Sequence, residues 1–397
     1  MAYKMAMFGC ALPEGFLLTR ISGGRFSHIR YRYEGIRFLF APAALGLDGY
    51  SRMRDRTKTQ FVNLADKFRT KMLEFSDPNS SNMIFTEDLK NMVHLADATS
   101  DDLNLVHKMM TRFNQQNKEV RFGSYVFGPV VMRMYYFLNK PDEALQAFRD
   151  PELEDFFAQL VTYQILMDLL FQNERYQDML DVFEIIKQRQ HQEGKFPKNV
   201  VILTFAACFK LNTPESFKYG MAVWKELKEV GHIPMRRAVT FAAGLALNQN
   251  ASHVAFEMIS GVQHQNYVTI RNLKVAALAD LGRPEDALPI LRTILDTDVP
   301  SQRKQTFSEE VIQKLGVSVG KTTNKELIHE FQQIEKRLRE GQHITAQDLN
   351  ELLCMPIAET VRNPVQDRNQ RFLAASFSRQ NVGRTKPYPR PGLSDLY

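Results

Sequence analysis

The 397-residue chain is 44% hydrophobic and 24% charged, ordinary globular proportions that exclude a fibrous or wholly disordered polymer and allow two compact domains or one elongated array. Its three cysteines, Cys10, Cys208 and Cys354, stand too far apart for a disulfide framework or a zinc ribbon, and no run of about 18 apolar residues offers a membrane span. Net charge is +6, yet residues 1–47 carry +4 and residues 361–397 carry +5, so the middle is net −3 and bulk charge identifies no polyanionic partner for it.

Residues 1–50 are expected to form a mitochondrial transit peptide or disordered arm. Lys4, Arg20, Arg25, Arg30, Arg32 and Arg37 lie among apolar and aromatic residues and face only Glu14 and Glu34. A basic, acid-poor start of this kind is the pattern of an import signal, and its destination would be the mitochondrial matrix. Residues 51–83 are expected to be an N-terminal helical cap.

Residues 84–302 read as one unit repeated. In VTYQILMDLLFQNERYQDMLDVFEIIK, residues 161–187, the apolar residues Val161, Ile165, Leu166, Leu169 and Leu170 recur at helical spacing. Tyr176, Met179, Leu180, Phe183 and Ile186 do the same after the polar break Asn173-Glu174-Arg175. So short a link makes the two helices antiparallel neighbours. Alone, the pair would expose apolar surface, so it needs copies of itself to stack against.

The starts of the second helices supply those copies. Asn139-Lys-Pro141-Asp-Glu-Ala144-Leu145 matches Gly282-Arg-Pro284-Glu-Asp-Ala287-Leu288, and Thr213-Pro214-Glu215-Ser216-Phe217 is a looser version. Proline lacks the N–H that a first helical turn leaves unpaired, and the acids that follow complement the helix N-terminus. Gly194-Lys-Phe-Pro197 and Gly231-His-Ile-Pro234 mark helix ends in the same way. Residues Leu103, Ala144, Met179, Gly220, Ala255 and Ala287 then occupy equivalent places, separated by 41, 35, 41, 35 and 32. The predicted fold is all-α: a right-handed α-solenoid of five or six helical hairpins with disordered termini.

Residues 303–345 are expected to hold C-terminal capping helices. Gly316-Val-Ser-Val-Gly320-Lys321-Thr322 resembles a phosphate-binding loop but has three residues between its glycines where four are required. Thr323-x-x-Glu326 reads better as a capping box that opens a helix with Leu327, Phe331, Ile334 and Leu338 on one face. Residues 346–397 are expected to be a short helix and then a flexible basic tail with Pro387-Tyr-Pro-Arg-Pro391.

Metal chemistry finds little support. The histidines, His253 and His264 included, show no metal spacing, and Asp97, Asp101 and Asp102 before a helix are more simply caps than a nuclease centre. Met109, Met110, Met132, Met134 and Met179 are read as core filler. No cofactor and no catalytic group is expected.

VTYQILMDLLFQNERYQDMLDVFEIIK, Asn199-Val-Val-Ile-Leu-Thr-Phe205 and Leu281-Gly-Arg-Pro-Glu-Asp-Ala-Leu288 together resemble the pentatricopeptide repeat family. The resemblance implies binding of single-stranded mitochondrial RNA, about one base per repeat, by a non-enzymatic protein of transcript processing. It implies base-edge contacts from the fifth residue of each repeat, Pro129, Gln164, Thr204, Thr240 and Asn272, and from the last, Asn199 and Met235. The second residues Val126, Val161 and Val201 would pack beside bases. Arg236, Arg237, Arg271 and Lys274, with Lys210, are expected near phosphates. RNA-processing proteins are expected as further partners, and a protein-binding helical scaffold is the rival expectation.

Overall fold

Prolines, left-handed turn residues and apolar stripes divide the chain where the sequence suggests. The computed structural model describes residues 39–120, 125–190, 195–263, 265–296 and 305–355. The basic arm, His191 to Gly194, His264 and the proline-rich tail therefore lie outside the described residues.

An entry segment contains α1 (Pro42–Leu45), α2 (Leu47–Gln60) and α3 (Ala65–Phe75). Six helical hairpins follow: α4 (Thr86–Leu95) with α5 (Ser100–Val120), α6 (Gly128–Phe137) with α7 (Pro141–Arg149), α8 (Leu160–Gln172) with α9 (Tyr176–Arg189), α10 (Lys198–Leu211) with α11 (Pro214–Glu229), α12 (Arg236–Asn248) with α13 (Ser252–Ser260), and α14 (Val268–Asp280) with α15 (Pro284–Asp296). Then α16 (Glu309–Gly320) packs on α14 and α17 (Lys325–Glu340) on α15, which adds a further pair in the same sense. Two-residue strands β1 (Phe307–Ser308) and β2 (Ile344–Thr345) pair in parallel, and α18 (Leu349–Leu353) ends the described chain.

Each first helix packs on the first helix of the next hairpin and on its own second helix, so the described hairpins form two layers. The apolar stripes explain this. Ile165, Leu166, Leu169 and Leu170 of α8 and Met179, Val182 and Phe183 of α9 have no exposed surface, and neither do Met109, Met110, Met132 and Met134. Across the second helices the polar faces are tied by ion pairs, Arg175 to Asp142 (2.6 Å), Lys187 to Glu226 (3.2 Å) and Lys228 to Glu257 (3.0 Å).

The hairpin turns share one construction. Asn139, Glu174, Asn250 and Gly282 take φ of 51°, 57°, 59° and 67°. The next N–H then reaches back across the helix end: Lys140 to the Tyr135 carbonyl (2.9 Å), Arg175 to Leu170 (2.9 Å), Ala251 to Ala246 (2.8 Å) and Arg283 to Leu278 (3.0 Å). This is the Schellman closure, which satisfies carbonyls a helix end would otherwise leave unpaired. The second helix starts at once, at Pro141 and Pro284 with proline in the first turn. At α11, Thr213 caps the Ser216 N–H at 3.1 Å.

One expectation changes at the C-terminal helices. The cap of α17 is Asn324, not Thr323: its Oδ1 accepts from the N–H groups of Glu326 (3.0 Å) and Leu327 (3.4 Å). Asparagine reaches these donors as well as threonine would, and Thr323 lies one residue too early. Phe331, Ile334 and Leu338 are buried as the stripe requires, while Leu327 is half-buried. The Gly316–Gly320 stretch is the last turns of α16, so its glycines form no phosphate loop.

Candidate nucleic-acid interface

The left-handed turn residues fix a common register for the first helices. The residues ten places before Asn139, Glu174, Asn212, Asn250 and Gly282 are Pro129, Gln164, Ile202, Thr240 and Asn272. In α8, α10, α12 and α14 the same residue is the fifth of the helix. The α10 repeat is therefore shifted by two from the sequence alignment. Ile202 stands where Thr204 was expected, Asn199 takes the second place instead of Val201, and Pro197 instead of Asn199 closes the preceding repeat. Thr204 and Val201 face the core at 0% and 1% exposure. Without a polar break in Val200-Val-Ile-Leu-Thr-Phe-Ala-Ala-Cys208, a two-residue slip cannot be detected by periodicity.

The side chains at these places differ widely. Gln164 and Asn199 are half-buried and touch, Asn199 Nδ2 donating to Gln164 Oε1 at 2.9 Å. Val126, Val161 and Met235 are exposed. Pro129 sits in the first turn of α6 and carries no side-chain donor. Thr204, Thr240 and Asn272 are fully buried and bonded within the chain. The Thr204 hydroxyl donates to the Val200 carbonyl (2.9 Å) and that of Thr240 to the Arg237 carbonyl (2.8 Å). Asn272 donates to the carbonyls of Val268 (2.8 Å) and Thr306 (3.0 Å) and accepts from the Ser308 N–H (2.8 Å). It locks the segment before α16 to α14.

Cations gather where the first helices begin. The Arg236 guanidinium lies 3.4 Å from the centre of the Tyr267 ring, which precedes α14. Arg237, one residue on, sits over Phe241 at 5.7 Å. Burial and the adjacent Arg236 charge bring Arg237 down to about 10. Burial also holds Arg236 and Arg271 below the usual arginine range. Arg271 donates to Asn266 Oδ1 (3.2 Å), and its Nη1 is buried without a partner among the described residues. Lys274 donates to Gln265 Oε1 (2.7 Å), and Lys210 is half-buried near the end of α10. Desolvated guanidinium groups without carboxylate partners are costly, and an anion would relieve them.

The uncovered side of the first-helix layer is partly filled by the chain itself. Phe40 N–H donates to Asp168 Oδ1 on α8 (3.2 Å), and Arg133 Nε on α6 donates to the Leu45 carbonyl (2.7 Å). The Tyr136 hydroxyl donates to Asp168 Oδ2 (2.7 Å), and burial raises this carboxyl to about 7. At the other end α18 packs on α12 and α14. Burying a large apolar side chain contributes about 1.5–3 kcal/mol. Leu39, Phe40, Leu45 and Leu47 are all buried, so the entry segment is core. Helix α18 buries Leu352 and Leu353 and packs Leu349 and Cys354 partly against the core, so few side chains hold its seat.

The acidic group before α5 has a structural use. Asp97 pairs with Arg54 (2.8 Å) and Lys58 (2.7 Å), and Asp102 with Arg69 (2.8 Å), which joins α2 and α3 to the α4–α5 connection. Asp102 Oδ2 also accepts from the Asp97 N–H (2.8 Å).

Sequence reasoning missed Ile202, Tyr267, Arg133, Asp168 and the seat of α18. Only Asp168, an acid inside an apolar helix, left a readable signal.

No family model matches the chain. Three relatives carry the name pentatricopeptide repeat-containing protein 2, mitochondrial. The mouse (Mus musculus) protein is 33% identical over 273 residues, 68% of this chain and 70% of the relative. The Xenopus laevis protein is 29% identical over 323 residues, 81% and 82% of the two chains. The human (Homo sapiens) protein is 30% identical over 298 residues, 75% and 73%. With that identity across most of its length, the chain of stacked helical hairpins belongs to the family of mitochondrial pentatricopeptide repeat-containing protein 2.

Proposed function

We propose that this protein binds single-stranded RNA in the mitochondrial matrix and acts, without catalysis, in the processing or maturation of mitochondrial mRNA. By holding a segment unpaired it would protect the segment or present it to processing proteins, and so support respiratory-chain expression. The observation that carries this reading is the line of groups at the starts of the first helices. The Gln164–Asn199 amide pair, the exposed Val161 and Met235, and the Arg236–Tyr267 stack with Arg237 lie there in successive repeats. Amides offer hydrogen bonds to a base edge, an aromatic ring offers a stacking face, and arginines offer phosphate contacts. The mitochondrial name of the relatives and the basic start of the chain support the location.

Selectivity in this reading is narrow. Thr240 and Asn272 spend their polar atoms inside the fold, and Ile202 and Pro129 have none to offer. One step, α8 to α10, leaves Asn199 Oδ1 and Gln164 Nε2 of the bonded amide pair to choose a base; the rest of the surface would hold the strand without reading it. Filter binding with fragments of mitochondrial transcripts and scrambled controls tests this. Affinity for single strands that falls with salt supports it, and absence of affinity for any single strand at low salt overturns it. The scaffold reading draws on a separate observation, the seating of α18 on α12 and α14.

A further inference from the structure

The floor beneath α18 is shaped for a leucine. Gly244 lies midway along α12, and a Cβ there would come within 2.8 Å of Leu353 Cδ1 and 2.9 Å of Phe209 Cε2. Glycine thus leaves a notch, walled by Phe209, that the Leu353 side chain fills. Leu352 is also buried, Leu349 is half-buried, and Asn350 and Glu351 are exposed. Leucines at i, i+3 and i+4 form one face of a helix.

Little else holds α18. Asp348 provides no side-chain cap, and among the described residues neither Asn350 nor Glu351 makes an ion pair or a side-chain hydrogen bond. The nearest tether is Ser308 Oγ donating to the Gln347 carbonyl (2.8 Å), before the helix starts. Any helix with the same leucine spacing therefore meets the same floor. Just past the last leucine stands Cys354, close enough to Arg237 to interact with it electrostatically. Arg237 has no carboxylate partner among the described residues, so α18 leaves an uncompensated cation at the end of the groove. A carboxylate in place of Cys354 would answer it.

We propose that the groove between α12 and α14 is a docking site for an amphipathic helix of a partner protein. That helix carries leucines at i, i+3 and i+4 and a carboxylate at i+5, and α18 is its weaker stand-in within the chain. The proposal does not depend on RNA binding, although Arg237 is common to both surfaces.

The test uses the full chain and a labelled peptide with the sequence of residues 345–354. Hydrogen exchange at the amides of residues 349–354 is followed in the unaltered protein as peptide is added. Exchange accelerates at least tenfold if the peptide displaces α18. The peptide binds the Leu353→Asp protein about tenfold more tightly than the unaltered one, because a groove already filled lowers apparent affinity. A peptide carrying Cys354→Glu binds about tenfold more tightly than the parent peptide, and Arg237→Met in the protein removes that gain. A peptide carrying Leu353→Asp does not bind. No acceleration of exchange by any peptide overturns the proposal, and so does a uridine 12-mer that frees α18 while the peptides do not. The exchange measurement needs no variant, so a misfolded Leu353→Asp protein leaves the decision intact.

Discussion

Asn199 donates to Gln164 across 35 residues of sequence, at 2.9 Å, and joins the second place of one repeat to the fifth of the repeat before. The contact follows from stacking alone: α8 and α10 are neighbours, and both residues lie in the opening turns of their helices.

If this pair reads a base, Gln164→Ala should weaken RNA binding by about tenfold and remove base preference at one position only. Fluorescence anisotropy with oligonucleotides varied one base at a time gives the answer. Equal losses at every position would mean that Gln164 acts through the fold.

Arg236 and Arg237 should act on all sequences alike. Each phosphate contact to a single strand contributes a slope of about 0.7 to the dependence of log K on log salt. The double substitution to alanine should therefore flatten that slope by about 1.4, with base preference unchanged. An unaltered slope would remove both residues from the phosphate path.

Burial raises the Asp168 carboxyl from 3.8 to about 7. The folded chain then holds a proton that the unfolded chain releases between these values. Stability from this group is complete below about pH 4 and is lost as pH climbs toward 7, a total on the order of 4 kcal/mol. Asp168→Asn keeps an acceptor for the Phe40 N–H and carries no charge. Urea unfolding should show the variant matching the parent near pH 4 and exceeding it at pH 8. Parallel curves would show that Asp168 does not titrate in this range.

Glu174 is an exposed residue with a left-handed φ of 57°. A side chain there costs about 1 kcal/mol relative to glycine. Glu174→Gly should raise the melting temperature by a few degrees, and a lower value would reveal a contact of this side chain outside the turn. Gly282→Ala, at φ 67° in the equivalent turn, should change stability in the opposite direction.

The hairpins were legible because their signals are local. Proline at 141, 214 and 284, apolar residues at helical spacing and the polar break at 173–175 each act within a few residues. The cap of α17 was placed one residue early for a similarly small reason, since Thr323 and Asn324 are both good caps and only geometry chooses. The register of α10 was less accessible. Thr204 and Ile202 lie in a helix buried on every side from Val200 to Phe209, where no contrast marks the face.

By itself the sequence determined an all-helical chain of paired helices with a repeat near 35 residues, because helix starts, turns and stripes are chemistry between near neighbours. Only the tertiary structure decided which of the repeat positions keep their polar atoms free and which part of the first-helix layer is already occupied. Asp168 meets Phe40 across 128 residues, and Leu353 meets Gly244 from beyond the last hairpin. Neither contact leaves a trace in local periodicity, because both depend on how distant segments come together once the hairpins have stacked.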